Sequence, residues 1–200
     1  MGLFEKIFGR RKKAEQASEK IVMMNPNDIW FTTPTISNEF PRLVPKTKET
    51  PFDIFIQEDD YRANEFLNLS SLHQIQQEFN GIKEVWTNHS KKSGEVTLFK
   101  TCHVRKTIGS PGLNINFSEL KTLLKCSQSG QVVINGSILV NGFAIKTENT
   151  TYFGTLDDET VIELCVFEWN DSTTGEILKI GETFNVLFVN WYNCDLLRND

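Results

Sequence analysis

Residues 131–156 read QVVINGSILVNGFAIKTENTTYFGTL, and VIELCVFEW follows at 161–169. Short runs of Val, Ile, Phe and Tyr alternate here with Asn, Gly and Thr. Such runs fit a pleated, half-buried surface and are punctuated by turn formers. The pattern predicts strands at 131–140, 143–148, 151–156, 161–169 and 183–192. Val140-Asn141-Gly142-Phe143 is a hairpin signal, because both central residues tolerate positive φ. Val161–Trp169 and Phe184–Tyr192 are apolar on both faces, which predicts strands covered on both sides. The close spacing predicts hairpins and an antiparallel meander.

Upstream of this block the period changes. Leu72, Ile75, Phe79, Ile82 and Trp86 are spaced three and four apart, which predicts one apolar stripe on a helix over 71–86. Ser71 with Gln74 has the spacing of a capping box. A second helix is predicted over 117–126, capped by Asn116 and Glu119, with Leu120, Leu123 and Leu124 inward and Gly130 as its stop. Glu95–Thr107 reads as one long strand, with Val96, Leu98, Cys102 and Val104 on one side and His103 facing water. Phe52, Ile54 and Ile56 alternate as a further strand, and 57–68 reads as a polar helical turn. The fold class expected is α+β: a mainly antiparallel sheet with a C-terminal meander, two packed helices and an extended N-terminal arm.

Three regions follow. Residues 52–200 form a single α+β domain, β-rich after 130. Residues 21–51 form an extended arm, since 25–51 holds Pro26, Pro34, Pro41, Pro45 and Pro51 out of six prolines in the chain. That density forbids a continuous helix or a central strand. Residues 1–20 read as a basic amphipathic helix. Leu3, Phe4, Ile7 and Phe8 would form its apolar face, and Arg10, Arg11, Lys12 and Lys13 would meet anionic headgroups at a membrane surface.

The chain has 200 residues, 39% hydrophobic and 24% charged, with 15 Phe, 4 Trp and 3 Tyr. This supports a packed core and excludes wholesale disorder. No apolar run is long enough for a membrane-spanning helix. The N-terminus does not read as a secretory signal, because its apolar part is short and the basic run follows it. Lys6 stands where a myristoylation pattern needs Ser or Thr. A reducing cytoplasm is therefore expected, with the four cysteines as free thiols.

Charge is distributed unevenly. Residues 1–20 hold six basic and three acidic side chains, whereas 126–200 hold three basic and eleven acidic. An acidic C-terminal third repels phosphate backbones, so no nucleic-acid partner is expected there and a basic protein is favoured.

Motifs for catalysis are weak. Cys102 and His103, as strand neighbours, point to opposite faces and cannot form a dyad. Cys126, Cys165 and Cys194 lack metal-ligand spacing. Asn170–Gly175 has the look of a calcium loop, but Gly181 stands where its bidentate Glu belongs, so a polar turn is read instead. Phosphate-cradling and nucleophile-elbow motifs do not occur. No cofactor or metal is expected. Glu163 stands out, a carboxylate on a face with Val161, Cys165, Phe167 and Trp169, which calls for a partner or a rim position.

The expectation is a cytoplasmic protein-binding module without catalysis, of immunity or inhibitor type. Its contact residues would be Asp157, Asp158, Glu159, Glu163, Trp169, Trp191 and Tyr192. The alternatives are a peripheral membrane protein held by residues 3–13 and an enzyme built on scattered residues.

Overall fold

Residues 29–109 and 111–198 are described by the structure, a computed structural model. The predicted membrane-contact residues 3–13 lie outside them. In order come β1 (Thr35–Ser37), β2 (Leu43–Pro45), β3 (Asp53–Ile56), β4 (Asn64–Asn68) and α1 (Leu72–Asn88). Then follow β5 (Ser90–Ser93), β6 (Val96–Phe99), β7 (His103–Arg105), β8 (Ile115–Asn116) and α2 (Phe117–Leu123). The last part holds β9 (Gln128–Ile134), β10 (Ser137–Leu139), β11 (Gly142–Lys146), β12 (Thr151–Asp157), β13 (Thr160–Val166), α3 (Asp171–Phe184), β14 (Val186–Asn190) and β15 (Asp195–Leu197). The described residues are α+β, mostly antiparallel sheet with three α-helices.

Several elements differ from the sequence reading, each for a local reason. The strand expected over 131–140 is a hairpin, because Asn135 and Gly136 take φ of 49° and 77°, a backbone region these residues tolerate. Residues 64–68, read as part of a helical turn, form β4, with Phe66 and Leu67 buried on opposite faces. The long strand over 95–107 is broken into β6 and β7, so Val96 and Val104 are exposed.

The third helix is α3. Asn170–Gly175, read as a polar turn, starts it through a capping box: Asn170 Oδ1 accepts from the Ser172 N–H, and the Asn170 N–H donates to Thr173 Oγ1 at 2.9 Å. Ile177 and Ile180 bury its inner face. Asn185, left-handed at φ 55°, ends it. This helix takes up the start of the strand expected at 183–192. Helix α1, by contrast, has no side-chain cap at Ser71, because a 3-10 turn over Leu69–Ser71 leads into it. For α2, Asn116 Oδ1 does accept from the Glu119 N–H at 3.1 Å.

The main sheet runs β15-β14-β4-β13-β12-β11-β9 and continues through β10 to β2. Strands β11, β12 and β13 follow one another, but β4 lies between β13 and β14. Two pairs are parallel: β3 with β9, and β1 with β7. Strands β1 and β2 come from the proline-rich segment, and β2 lines the sheet edge, where Pro45 needs no ladder N–H.

The two faces of the central strands are buried differently. Phe66, Tyr152, Leu164 and Phe188 meet α2 and α3 in one cluster. On the other face, Phe153 and Cys165 pack under Ile54, Ile56, Val132 and Ile134, where the sheet curls over itself. Further along that same face, Leu67, Leu187 and Trp191 pack against α1 through Ile75, Phe79 and Ile82. Between those two apolar clusters sits a layer of charge.

Candidate functional site

The charged layer is built on β4, on β7 and on the turn that enters β4. Arg62 leaves that turn in the left-handed region, φ 60°, which aims its guanidinium under the sheet. Its Nε donates to Glu65 Oε2 at 2.5 Å and its Nη1 to Glu163 Oε1 at 3.1 Å. Nη2 donates to the Ile108 carbonyl. Glu65 lies on a central strand, opposite Cys165 on β13 and Val189 on β14. Its second oxygen accepts from Trp191 Nε1 at 2.7 Å. Arg105 from β7 donates through Nη2 to the Arg62 carbonyl and stacks 4.9 Å over the Trp191 ring. Arg105 Nε and Nη1 are buried with no partner among the described residues.

The electrostatics follow from burial and pairing. Burial disfavours the charged form of Arg62, but Glu65 and then Glu163 outweigh it and raise its pKa. Arg105, whose burial is offset only by weaker attractions, is shifted down. Burial and the Glu163 charge raise the Tyr61 phenol, which stays protonated and donates to Glu163 Oε2 at 2.8 Å. Complete burial raises the Cys165 thiol and disfavours its thiolate.

Glu163 is where this layer meets the surface. Glu163 shares the face of Cys165 as the sequence reading has it, but Val161 leaves that face because the β12–β13 register shifts between Thr155 and Leu156. Leu156 faces Val161 and Thr155 faces Glu163, leaving Ile162 as the extra residue of a bulge. Val161 therefore packs in the α2/α3 cluster and Glu163 does not. Thr155 Oγ1 bonds Glu163 Oε2 at 2.8 Å. A cavity of about 300 Å³ opens over Glu163, Tyr61 and Arg62. Its rim is Glu39–Arg42 of the proline-rich segment, and its walls include Val140, Leu156 and Ile162.

The other residues singled out from the sequence divide sharply. Asp157, Asp158 and Glu159 are exposed at the tip of the β12–β13 hairpin, directly after Leu156 in the cavity wall. Trp191 is wholly buried and belongs to the core, not to a contact surface. Trp169 is partly buried against Phe188. Tyr192 donates to Asp60 at 2.8 Å. The structure thus places Glu163 beside the acidic tip and removes Trp191 from that set. Arg62, Glu65 and Arg105 were missed. The available signal was Glu65 itself, a carboxylate inside the run Asn64–Asn68 once that run is read as a strand.

His103, expected to face water, is only partly exposed. It packs on Gly81 of α1, where an added Cβ would come within 2.3 Å of the ring, and its Nε2 lies 2.8 Å from Glu78. Among the described residues no thiol or hydroxyl bonds this imidazole. Cys102 is half-buried, and burial pushes its thiol up to about 11. No group of three metal-ligating side chains converges among the described residues. No described helix is long and apolar enough to cross a membrane. Compared with protein-family models, curated proteins and solved structures, the chain has no match.

Proposed function

We propose that this chain is a non-enzymatic, cytoplasmic module that binds a basic protein, in the manner of an inhibitor or immunity protein, through the β12–β13 tip and the cavity beside it. The observation that carries the reading is the state of three carboxylates. Asp157, Asp158 and Glu159 stand exposed on one hairpin tip, and none has a side-chain hydrogen bond or ion pair among the described residues. Charges held outward without partners steer encounter with a surface of opposite sign and set the register of docking. The cavity supports the reading by supplying a concave, partly apolar feature next to that charge.

The test compares the full chain with the variant Asp157→Asn, Asp158→Asn, Glu159→Gln as baits in native lysate at several salt concentrations. The reading expects basic proteins that the wild type retains at low salt, releases as salt rises, and that the variant does not retain. The same proteins held by both baits with the same salt response would refute it.

A further inference from the structure

We infer that the cavity over Glu163 is an anchor pocket for one lysine or arginine side chain of a protein partner. The inference rests on the binding reading above and names what the cavity recognises.

Acceptor capacity is the first observation. A carboxylate offers about four acceptor positions. Glu163 Oε2 uses two, on Tyr61 and Thr155, and Oε1 uses one, on Arg62 Nη1. One position on Oε1 is left, and the side chain is 25% exposed, so that position is open to a donor arriving from the cavity. The donors that already touch Glu163 are committed: the Tyr61 hydroxyl to Glu163, and Arg62 to Glu65, Glu163 and Ile108.

Charge is the second. Arg62 does not neutralise Glu163 alone, because it divides its charge between Glu163 and the closer Glu65. Glu39 on the rim adds a negative charge, and the unpartnered hairpin tip adds more just beyond Leu156. Arg42 is the exposed cation on the rim and works against a cationic guest.

Shape is the third. The lining places Phe40, Val140, Leu156 and Ile162 beside its polar groups, and Phe40 is 69% exposed. A mixed lining that sets apolar side chains beside an open acceptor fits a methylene stem carrying a terminal ammonium or guanidinium, which rests its stem on the former and pairs its head with the latter. A free anion drawn to Arg42 would lie against Glu163 and Glu39, and a purely apolar side chain would leave the Glu163 acceptor unpaired.

The test titrates the isotope-labelled full chain with four small probes, read by backbone amide shifts. These are the N-acetyl methylamides of lysine, arginine, norleucine and citrulline. The lysine or arginine probe is expected to move the amides of Thr155, Leu156, Ile162 and Glu163 with an affinity of about millimolar order, as a single small side chain allows. Their neutral counterparts should bind about tenfold more weakly or not at all. Glu163→Gln should weaken the charged probe about tenfold, Phe40→Ala severalfold, and Arg42→Ala should tighten it. Phe40 and Arg42 are exposed, so these two variants keep the test sharp if Glu163→Gln unfolds. Equal binding of charged and neutral probes, or no effect of Arg42→Ala and Phe40→Ala, would overturn the pocket. The hairpin variant separates the two proposals. If it loses a basic partner while wild type ignores the probes, the pocket is wrong and the binding reading stands. If the probes bind but no salt-sensitive partner exists, the pocket stands without that reading.

Discussion

Arg62 and Glu65 meet 2.5 Å apart inside the protein, each with under 5% of its side chain exposed. Two ions at that depth lose most of their hydration, and only close pairing compensates. Here the pair is extended: Trp191 bonds Glu65, and Glu163 takes the other end of Arg62. The layer lies where α1 and the curled part of the sheet leave a gap on the face carrying Cys165. It links the core to the cavity through Glu163, whose side chain is 25% exposed.

Removing one partner of this pair leaves the other buried and uncompensated. Glu65→Ala is expected to destabilise the protein by about 3–5 kcal/mol. Denaturant unfolding checks it. A loss under about 1 kcal/mol would mean that water reaches Arg62 and Arg105.

The capping box of α3 makes a local prediction. Asn170→Ala removes the acceptor for the Ser172 N–H and should cost about 1 kcal/mol, while Asn170→Asp should nearly preserve stability. Thermal unfolding of both variants separates a cap from a mere surface residue.

Gly154 on β12 is a packing requirement. A Cβ there would stand 1.8 Å from the Glu163 carbonyl oxygen, and backbone cannot swing aside as a side-chain tip does. Gly154→Ala is expected to cost about 3 kcal/mol, at the upper end for overpacking, and to shift the amides around Glu163. An unchanged spectrum would show that β12 and β13 separate here.

Asp53 gives a pH prediction. Hydrogen bonds from Lys46 and then Thr50 hold its carboxyl below the ordinary 3.8. A carboxyl lowered in the folded state contributes stability that is present above the unfolded value of about 4 and is lost as pH falls through the lower folded value. Asp53→Asn should therefore flatten the stability profile below about pH 4 and leave its shape above pH 5 unchanged. Stability measured by urea from pH 2 to 6 decides it.

The thiols predict an order of modification. Cys165 is wholly buried and its pKa is raised, and burial lifts Cys102 and Cys194 to about 11. At pH 8 both half-buried thiols are protonated and should react slowly with a thiol reagent, and Cys165 should react only on unfolding. Rapid labelling of Cys165 in the native protein would contradict the core.

The sequence by itself determined the local matters. The 3,4 spacing of Leu72–Trp86 required α1, and Asn116 and Glu119 set the start of α2. These depend on backbone propensity and on neighbours within a few residues. Tertiary structure decided the rest. The hairpin expected at Asn141-Gly142 does not form: only Asn141 takes positive φ, and β10 and β11 each pair with β9 rather than with each other. Strand β4 was illegible because Glu65 interrupts its apolar run, and only Arg62, Arg105 and Trp191, far apart in sequence, make that carboxylate fit a core. Helix α3 was obscured by Ser, Thr and Gly, poor helix formers in isolation, whose place is secured by Ile177 and Ile180 packing on the sheet. Glu163 was legible as an anomaly on the face of Cys165, but the loss of Val161 from that face was not, since a bulge at Ile162 reverses the alternation before it, and strand periodicity carries no warning of an inserted residue. Pairing between distant segments is decided by burial summed over the whole fold, which no window of sequence contains.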